Sequence, residues 1–197
     1  MPSSEHVIPV LPSVVVLSVV AFAVLLVRLH RRAALTVPRV VVSAVASVYG
    51  AGVIGNTLLP MYLGRAGNGL PWWEYPNLTP LVGTEPVDML QNVVVFAPLG
   101  VLLPLVARVS ALPRVVSYAF LTSLAMELLQ WGNAVLAHGG HVPDVNDLLA
   151  NTVGAPLGYG LYRLVLLVPA LRRVAEAATW PGPPVDEPGL QPTHAGH

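Results

Sequence analysis

The chain has 197 residues, of which 54% are hydrophobic and only 10% are charged, and its mean hydropathy is +0.67. A soluble domain carries roughly 25% charged residues, so this composition excludes an ordinary soluble domain and predicts a polytopic membrane protein. The net charge is zero, all ten basic residues are Arg, and Cys is absent. We therefore expect no nucleic-acid partner, and disulfide and thiol chemistry are excluded.

Five apolar segments are long enough to cross roughly 30 Å of hydrocarbon as helices. They lie at about 8–29, 38–60, 87–107, 113–136 and 147–169. No basic stretch precedes the first segment and Arg residues follow it, which favours a retained span over a cleaved signal peptide. The predicted fold class is therefore all-α, an integral membrane bundle of about five transmembrane helices.

Domain organisation follows from these segments. We expect two N-terminal transmembrane helices, an extracytoplasmic loop with interfacial aromatic residues, a three-helix core and a cytoplasmic tail, at 1–60, 61–86, 87–170 and 171–197. The tail is rich in Pro and poor in large apolar residues, so it is expected to be disordered. Trp72, Trp73 and Tyr75 in the loop suit either an aromatic anchor at the outer leaflet or a lid that contacts substrate.

The Arg residues predict the orientation of the bundle. Nine of the ten lie beside the cytoplasmic ends of the spans if the N-terminus is outside, and only Arg65 then lies outside. Because cytoplasmic loops carry an excess of basic residues, we expect an outside N-terminus and a cytoplasmic C-terminus. The third and fifth spans then run parallel, and the fourth runs back between them.

A doubled motif starts the third and fifth spans. Asp88 and Asn92, followed by Ala-Pro-Leu-Gly100, recur as Asp147 and Asn151, followed by Ala-Pro-Leu-Gly158. Each copy places its Asp and Asn on one face of a helix. Polar residues are costly within a membrane, so a polar pair that occurs twice predicts a functional site.

The fourth span adds a carboxylate to this predicted site. Glu127 lies roughly 15 Å from the outer end of its helix at 1.5 Å per residue, and Gln130 shares its face. Seven polar side chains are expected to converge on one outward-opening pocket: Asp88, Asn92, Glu127, Gln130, Asp144, Asp147 and Asn151. His138 and His141 are expected near its mouth.

Structural roles remain open for several of these residues. Asp144 could be a helix N-cap, and Asp88 could complement a helix dipole. Asn92 and Asn151 could join helices by hydrogen bonds, and the Pro and Gly residues of the motif suit packing and kinks. Glu127 has no Arg close to it in sequence, which favours a functional role.

At these residues the chain resembles the VanZ-like family of membrane proteins. The resemblance covers about residues 70–165 and is carried by Asn77-Leu-Thr-Pro80, by the first motif copy, by Glu127 with Gln130, and by Asp144-Val-Asn-Asp147-Leu-Leu-Ala-Asn151-Thr-Val-Gly154. Family members usually have Arg where this chain has His141, which would contact an anionic group only when it is protonated. The family takes its name from a protein that gives low-level resistance to the glycopeptide teicoplanin. The resemblance implies a cell-envelope role and location in the bacterial cytoplasmic membrane.

Three functional hypotheses follow. The first is an enzyme acting on a lipid-linked or envelope substrate, with Glu127, Asp147 and Asp88 as catalytic groups. Substrate would then be bound by Asn92, Gln130, Asp144, Asn151 and His141. The second is a non-catalytic binder of an envelope ligand or glycopeptide, and the third is a small transporter. No metal site is predicted, because the His residues lack helical ligand spacing, and the sequence names no cofactor.

Overall fold

The structure is a computed structural model that describes residues 6–63, 71–137 and 142–182. These ranges form six α-helices, two short β-strands and one turn of 3-10 helix. The helices are α1 (Val10–Arg31), α2 (Val37–Leu58), α3 (Pro86–Ala107), α4 (Leu112–Ala137), α5 (Val145–Val165) and α6 (Pro169–Ala178). Strands β1 (His6–Ile8) and β2 (Met61–Leu63) pair antiparallel beside the start of α1 and the end of α2.

The helical membrane fold predicted from composition is confirmed. Among the described residues, α1, α2, α3 and α4 are long and apolar enough to cross a membrane. Many of their large apolar side chains are exposed, as expected for helices that face lipid. Helix α5 has 21 residues but is less apolar, since Asn146, Asp147, Asn151 and Arg163 lie along it. The fifth span and the orientation of the bundle remain predictions.

Local sequence explains where these helices begin and end. A Pro lies in the first turn of α2, α3 and α6, where its missing N–H costs no helical hydrogen bond. Helix α5 is capped by Asp144, whose carboxylate accepts a hydrogen bond from the backbone N–H of Asn146 at 2.7 Å. Helix α3 ends at Arg108, which has left-handed backbone angles with φ of 57°.

Helices α3 and α5 lie parallel and in backbone contact, and the doubled motif forms this contact. A Cβ on Gly158 would overlap the carbonyl oxygen of Ala97, and a Cβ on Gly100 would overlap that of Ala155. Because Ala97 and Ala155 are equivalent residues of the two copies, the contact is reciprocal. Gly154 similarly faces the backbone of Val93. The packing role predicted for Gly154 and Gly158 is confirmed, and the contact resembles small-residue packing between membrane helices.

At the opposite end of the bundle, the structure corrects the prediction of a disordered tail. Residues 171–178 belong to α6, and Trp180 is 4% exposed and packs against Leu29 and Ala34. The Trp180 backbone N–H donates to the Leu105 carbonyl at 2.8 Å, and the Arg39 side chain donates to the Thr179 carbonyl at 3.0 Å. The expectation that disorder begins at 171 is therefore wrong for the described part of the tail, because apolar residues dock it on the helix ends. Residues 183–197 lie outside the described ranges.

Candidate functional site

A polar cavity lies between α2, α3, α4 and α5, at the end where α3 and α5 begin. Its volume is about 410 Å³. All seven polar residues expected to converge line it: Asp88, Asn92, Glu127, Gln130, Asp144, Asp147 and Asn151. Polar residues that the sequence does not single out line it as well, namely Asn56, Thr57, Thr84 and Gln91. The seven residues therefore lie around one cavity as expected, whereas their functional roles remain predictions.

The two copies of the motif are joined by a hydrogen bond inside this cavity. The Asn92 amide of α3 donates to the Asp147 carboxylate of α5 at 2.6 Å. Both side chains are half-buried. Asp147 also lies close enough to Asp144 and Asp88 for their charges to repel. This bond joins α3 to α5 and uses one of the two Asp147 carboxylate oxygens.

Glu127 is the most deeply placed carboxylate of the cavity. Its side chain is 8% exposed, and one of its oxygens accepts the backbone N–H of Asp144 at 2.8 Å. Asp144 and Asp147 lie near enough to repel its charge. The described residues that line the cavity include no Arg or Lys. A buried carboxylate in such surroundings favours either a proton or a cationic partner.

Asp144 has the structural role that its position before a helix predicts. One of its carboxylate oxygens accepts from the backbone and side-chain nitrogens of Asn146, at 2.7 and 2.8 Å. The other accepts from Asn77 at 3.0 Å and from Thr84 at 3.2 Å. Four donors satisfy this carboxylate, so Asp144 caps α5 and fixes the loop above it. Its predicted contact with substrate stays a prediction.

Asn146 is a central residue of the site that sequence reasoning does not single out. It is fully buried, and its side-chain oxygen accepts the Leu81 N–H at 2.6 Å. Its amide nitrogen donates to Thr84 at 2.9 Å. Backbone hydrogen bonds from Asn77 N to Pro143 O and from Val145 N to Asn77 O add a short parallel pairing. These bonds hold the 77–84 segment over the start of α5, and we call this arrangement the clamp. The Asn77-Leu-Thr-Pro80 motif is the one sequence signal for it.

Two buried amides of the cavity have unpaired oxygens. Gln130 is 8% exposed and Asn151 is 3% exposed, and the side-chain oxygen of each has no hydrogen-bond partner among the described residues. The Asn151 nitrogen donates to Ser123 of α4 at 3.0 Å. Because a buried acceptor without a donor costs about 1–3 kcal/mol, these two oxygens favour a ligand that donates hydrogen bonds.

The remaining predicted residues lie at the edge of the cavity or outside the described ranges. Asp88 is exposed, one helical turn before Asn92. His138 and His141 fall outside the described residues. Within residues 6–63, 71–137 and 142–182, no three His, Asp or Glu side chains are grouped as metal ligands.

Comparison with known proteins identifies the family. The chain matches the VanZ/LLP1 family over residues 14–167, which include most of α1, all of α2 to α5 and all seven polar residues. The chain belongs to the VanZ/LLP1 family. It is 36% identical to Protein VanZ of Enterococcus faecium over 90 residues, which cover 45% of this chain and 52% of that protein. The match thus spans about half the length of Protein VanZ. No solved structure matches the chain.

Membership of the VanZ/LLP1 family confirms the resemblance stated from the motifs. The family match begins within α1 and ends before α6, so it also includes the two N-terminal helices that the motif resemblance does not reach. Together with the four long apolar helices, it establishes a VanZ-like membrane protein.

Proposed function

We propose that the chain is a multi-pass protein of the bacterial cytoplasmic membrane. It binds the polar group of a lipid-linked or other envelope substrate in the polar cavity, and the carboxylates of the cavity donate protons to that group and remove protons from it. One observation carries the proposal. Two carboxylates, Glu127 and Asp147, share a single cavity with the unpaired amide oxygens of Gln130 and Asn151. On the predicted orientation the cavity opens outward.

The acceptors in the cavity define the kind of group that fits it. Carboxylate and amide oxygens predominate, and the described lining residues include no Arg or Lys that would neutralise an anion. An ammonium or a cluster of sugar hydroxyls would supply donors to these oxygens, whereas an anionic group would be repelled. The preferred ligand therefore carries a donor-rich group with no net negative charge.

The different surroundings of the two carboxylates suit acid–base chemistry. Glu127 is buried and accepts one backbone N–H, whereas Asp147 is half-buried and accepts the Asn92 amide. Two neighbouring carboxyls in unlike environments can hold one proton between them, so one can donate a proton while the other removes one. Asp88 at the edge would supply a third carboxylate.

A non-catalytic binding protein is the second candidate. The unpaired oxygens of Gln130 and Asn151 support recognition whether or not a reaction follows. The two candidates differ in one result, because only an enzyme returns a chemically altered ligand. Transport is less well supported, because the polar residues of the cavity lie at one end of the bundle instead of extending across it.

The proposal is tested by complementation of a deletion strain. Wild type, Glu127→Gln, Asp147→Asn and the control Glu176→Gln, a carboxylate at the opposite end of the chain's bundle, are expressed to equal levels. Envelope lipids and precursors are compared by mass spectrometry. We expect wild type and the control to restore the deletion phenotype, and both cavity variants to fail. Full restoration by Glu127→Gln and Asp147→Asn would overturn the proposal.

A further inference from the structure

A second cavity lies on the other side of Glu127. Its volume is about 310 Å³, and apolar residues dominate its lining: Trp72, Trp73, Leu124, Leu128, Trp131 and Leu148. Glu127 and Asp144 line both this apolar cavity and the polar cavity. Two spaces of opposite character therefore meet at the same buried carboxylate.

The aromatic wall of the apolar cavity is fixed by specific contacts. The Trp131 indole N–H donates to the Trp72 carbonyl at 2.9 Å, and the centres of the two rings are 5.4 Å apart. Trp73 packs edge-on against Trp72 at 5.5 Å. The part of the loop that contains Trp72 and Trp73 is thus held against α4, and both rings line the cavity.

The apolar cavity is also open to its surroundings. Leu78 is 74% exposed, Trp73 is 60% exposed and Leu128 is 53% exposed. All three line the cavity. In a membrane such a rim contacts lipid, so a hydrocarbon chain can enter the cavity from the bilayer.

We propose that one lipid occupies both cavities, with its donor-rich head group in the polar cavity and one hydrocarbon chain between Trp131 and Leu148. This rests on the proposed function, and it extends that function by assigning the substrate to the class of membrane lipids. The junction of head group and chain then lies beside Glu127, which lines both spaces.

The dimensions and the polarity both fit such a ligand. Each cavity has the volume of a small-molecule site, roughly 300–1,000 Å³. A chain that moves from the bilayer into an apolar cavity stays in apolar surroundings, so it gains little binding free energy. The head group therefore provides the selectivity, and the apolar cavity fixes the position of the lipid relative to Glu127.

Tryptophan quenching tests where the chain lies. The full-length protein is placed in phosphatidylcholine nanodiscs that contain a small fraction of one lipid with brominated chains. The head groups compared are phosphatidylethanolamine, a glycosyl diacylglycerol, phosphatidylglycerol and phosphatidylcholine. Three of the four Trp residues line the apolar cavity, and Trp180 at the other end of the bundle provides the unquenched remainder. Native mass spectrometry measures retention of each lipid separately.

We expect the ethanolamine or the glycosyl lipid to be retained at least threefold more than phosphatidylcholine and phosphatidylglycerol, and to quench correspondingly more. Leu148→Phe, which narrows the apolar cavity, should lower the excess quenching. Leu149→Phe, on the neighbouring residue outside the cavity lining, should leave it unchanged. Asp147→Asn should remove both the retention and the excess quenching.

The outcomes separate the two proposals. Head-group-dependent retention without excess quenching would overturn the placement of the chain while leaving the proposed function intact. Equal retention of all four lipids would contradict the proposed lipid head group as well. Preferential retention of phosphatidylglycerol would overturn the donor-rich, non-anionic assignment.

Discussion

The two copies of the doubled motif are equivalent in one half and different in the other. In the Ala-Pro-Leu-Gly half, Gly100 faces Ala155 and Gly158 faces Ala97, so each copy makes the same contact with the other. In the Asp-Asn half this equivalence is lost. Asp88 is exposed, whereas Asp147 is half-buried and accepts the Asn92 amide at 2.6 Å.

The difference indicates that one half of the motif holds helices together and the other half lines a cavity. Close contact of two parallel helices requires small residues on both, so the glycines recur in both copies. The polar residues are not bound by that requirement, because each faces different neighbours. Asn151, the equivalent of Asn92, contacts Ser123 of α4 and leaves its oxygen unpaired.

The largest loss of stability is expected when the helix contact in the Ala-Pro-Leu-Gly half is disrupted. Gly158→Leu places a side chain against the backbone of α3, so the helices must separate, and we expect loss of the folded protein. Gly160→Leu, on the same helix with open space at its Cβ, should be tolerated. Monodispersity and melting temperature in detergent provide the measurement. A melting temperature for Gly158→Leu equal to that of Gly160→Leu would show that the contact is dispensable.

A smaller loss of stability is expected for the clamp over the second copy. Asn146→Ala removes the acceptor of the Leu81 N–H and the donor to Thr84, and each lost hydrogen bond costs about 0.5–1.5 kcal/mol. Ser13→Ala, which removes an exposed bond to the Pro9 carbonyl, is the control and should change little. Thermal unfolding compares the two variants. Equal melting temperatures would contradict the role assigned to Asn146.

Sequence patterns predict most of this fold because the length of an apolar segment is a strong signal for a long helix. The five long helices begin and end within a few residues of the predicted segments. Helix α6 is not predicted, because Arg172, Arg173 and the Pro residues nearby resemble a disordered tail. Its docking depends on Trp180, which packs against Leu29 near the end of α1. Pairing of residues so distant in sequence is not apparent from local composition.

The candidate site is predicted only in part for a related reason. Rare polar residues in apolar helices indicate which side chains converge, and the polar cavity contains all seven. The sequence does not specify which carboxylate is already satisfied. Asp144 has four donors, while Glu127 has one backbone N–H. That distinction depends on the 77–84 segment, whose position over α5 is a tertiary property.

A still smaller difference separates the two Asn residues of the motif. Asn92→Leu deprives the Asp147 carboxylate of its donor, and we expect a cost of about 1–3 kcal/mol. Asn151→Leu removes the donor to Ser123, which costs about 0.5–1.5 kcal/mol, but it also removes a buried unpaired oxygen that itself costs about 1–3 kcal/mol, so we expect little net loss of stability. Melting temperatures measured in the same detergent rank the two. A larger loss for Asn151→Leu would reverse the comparison between the copies.

The most direct test of the central claim is Asp147→Asn, measured for stability and for complementation in parallel. The Asn side chain retains an oxygen that can accept from Asn92, and the change removes a charge close to Glu127 and Asp144. If the second copy serves a ligand site, the melting temperature stays close to that of wild type while complementation is lost. If the melting temperature falls and complementation is lost as well, Asp147 is a structural residue. If complementation persists, the function of the cavity does not depend on the charge of Asp147.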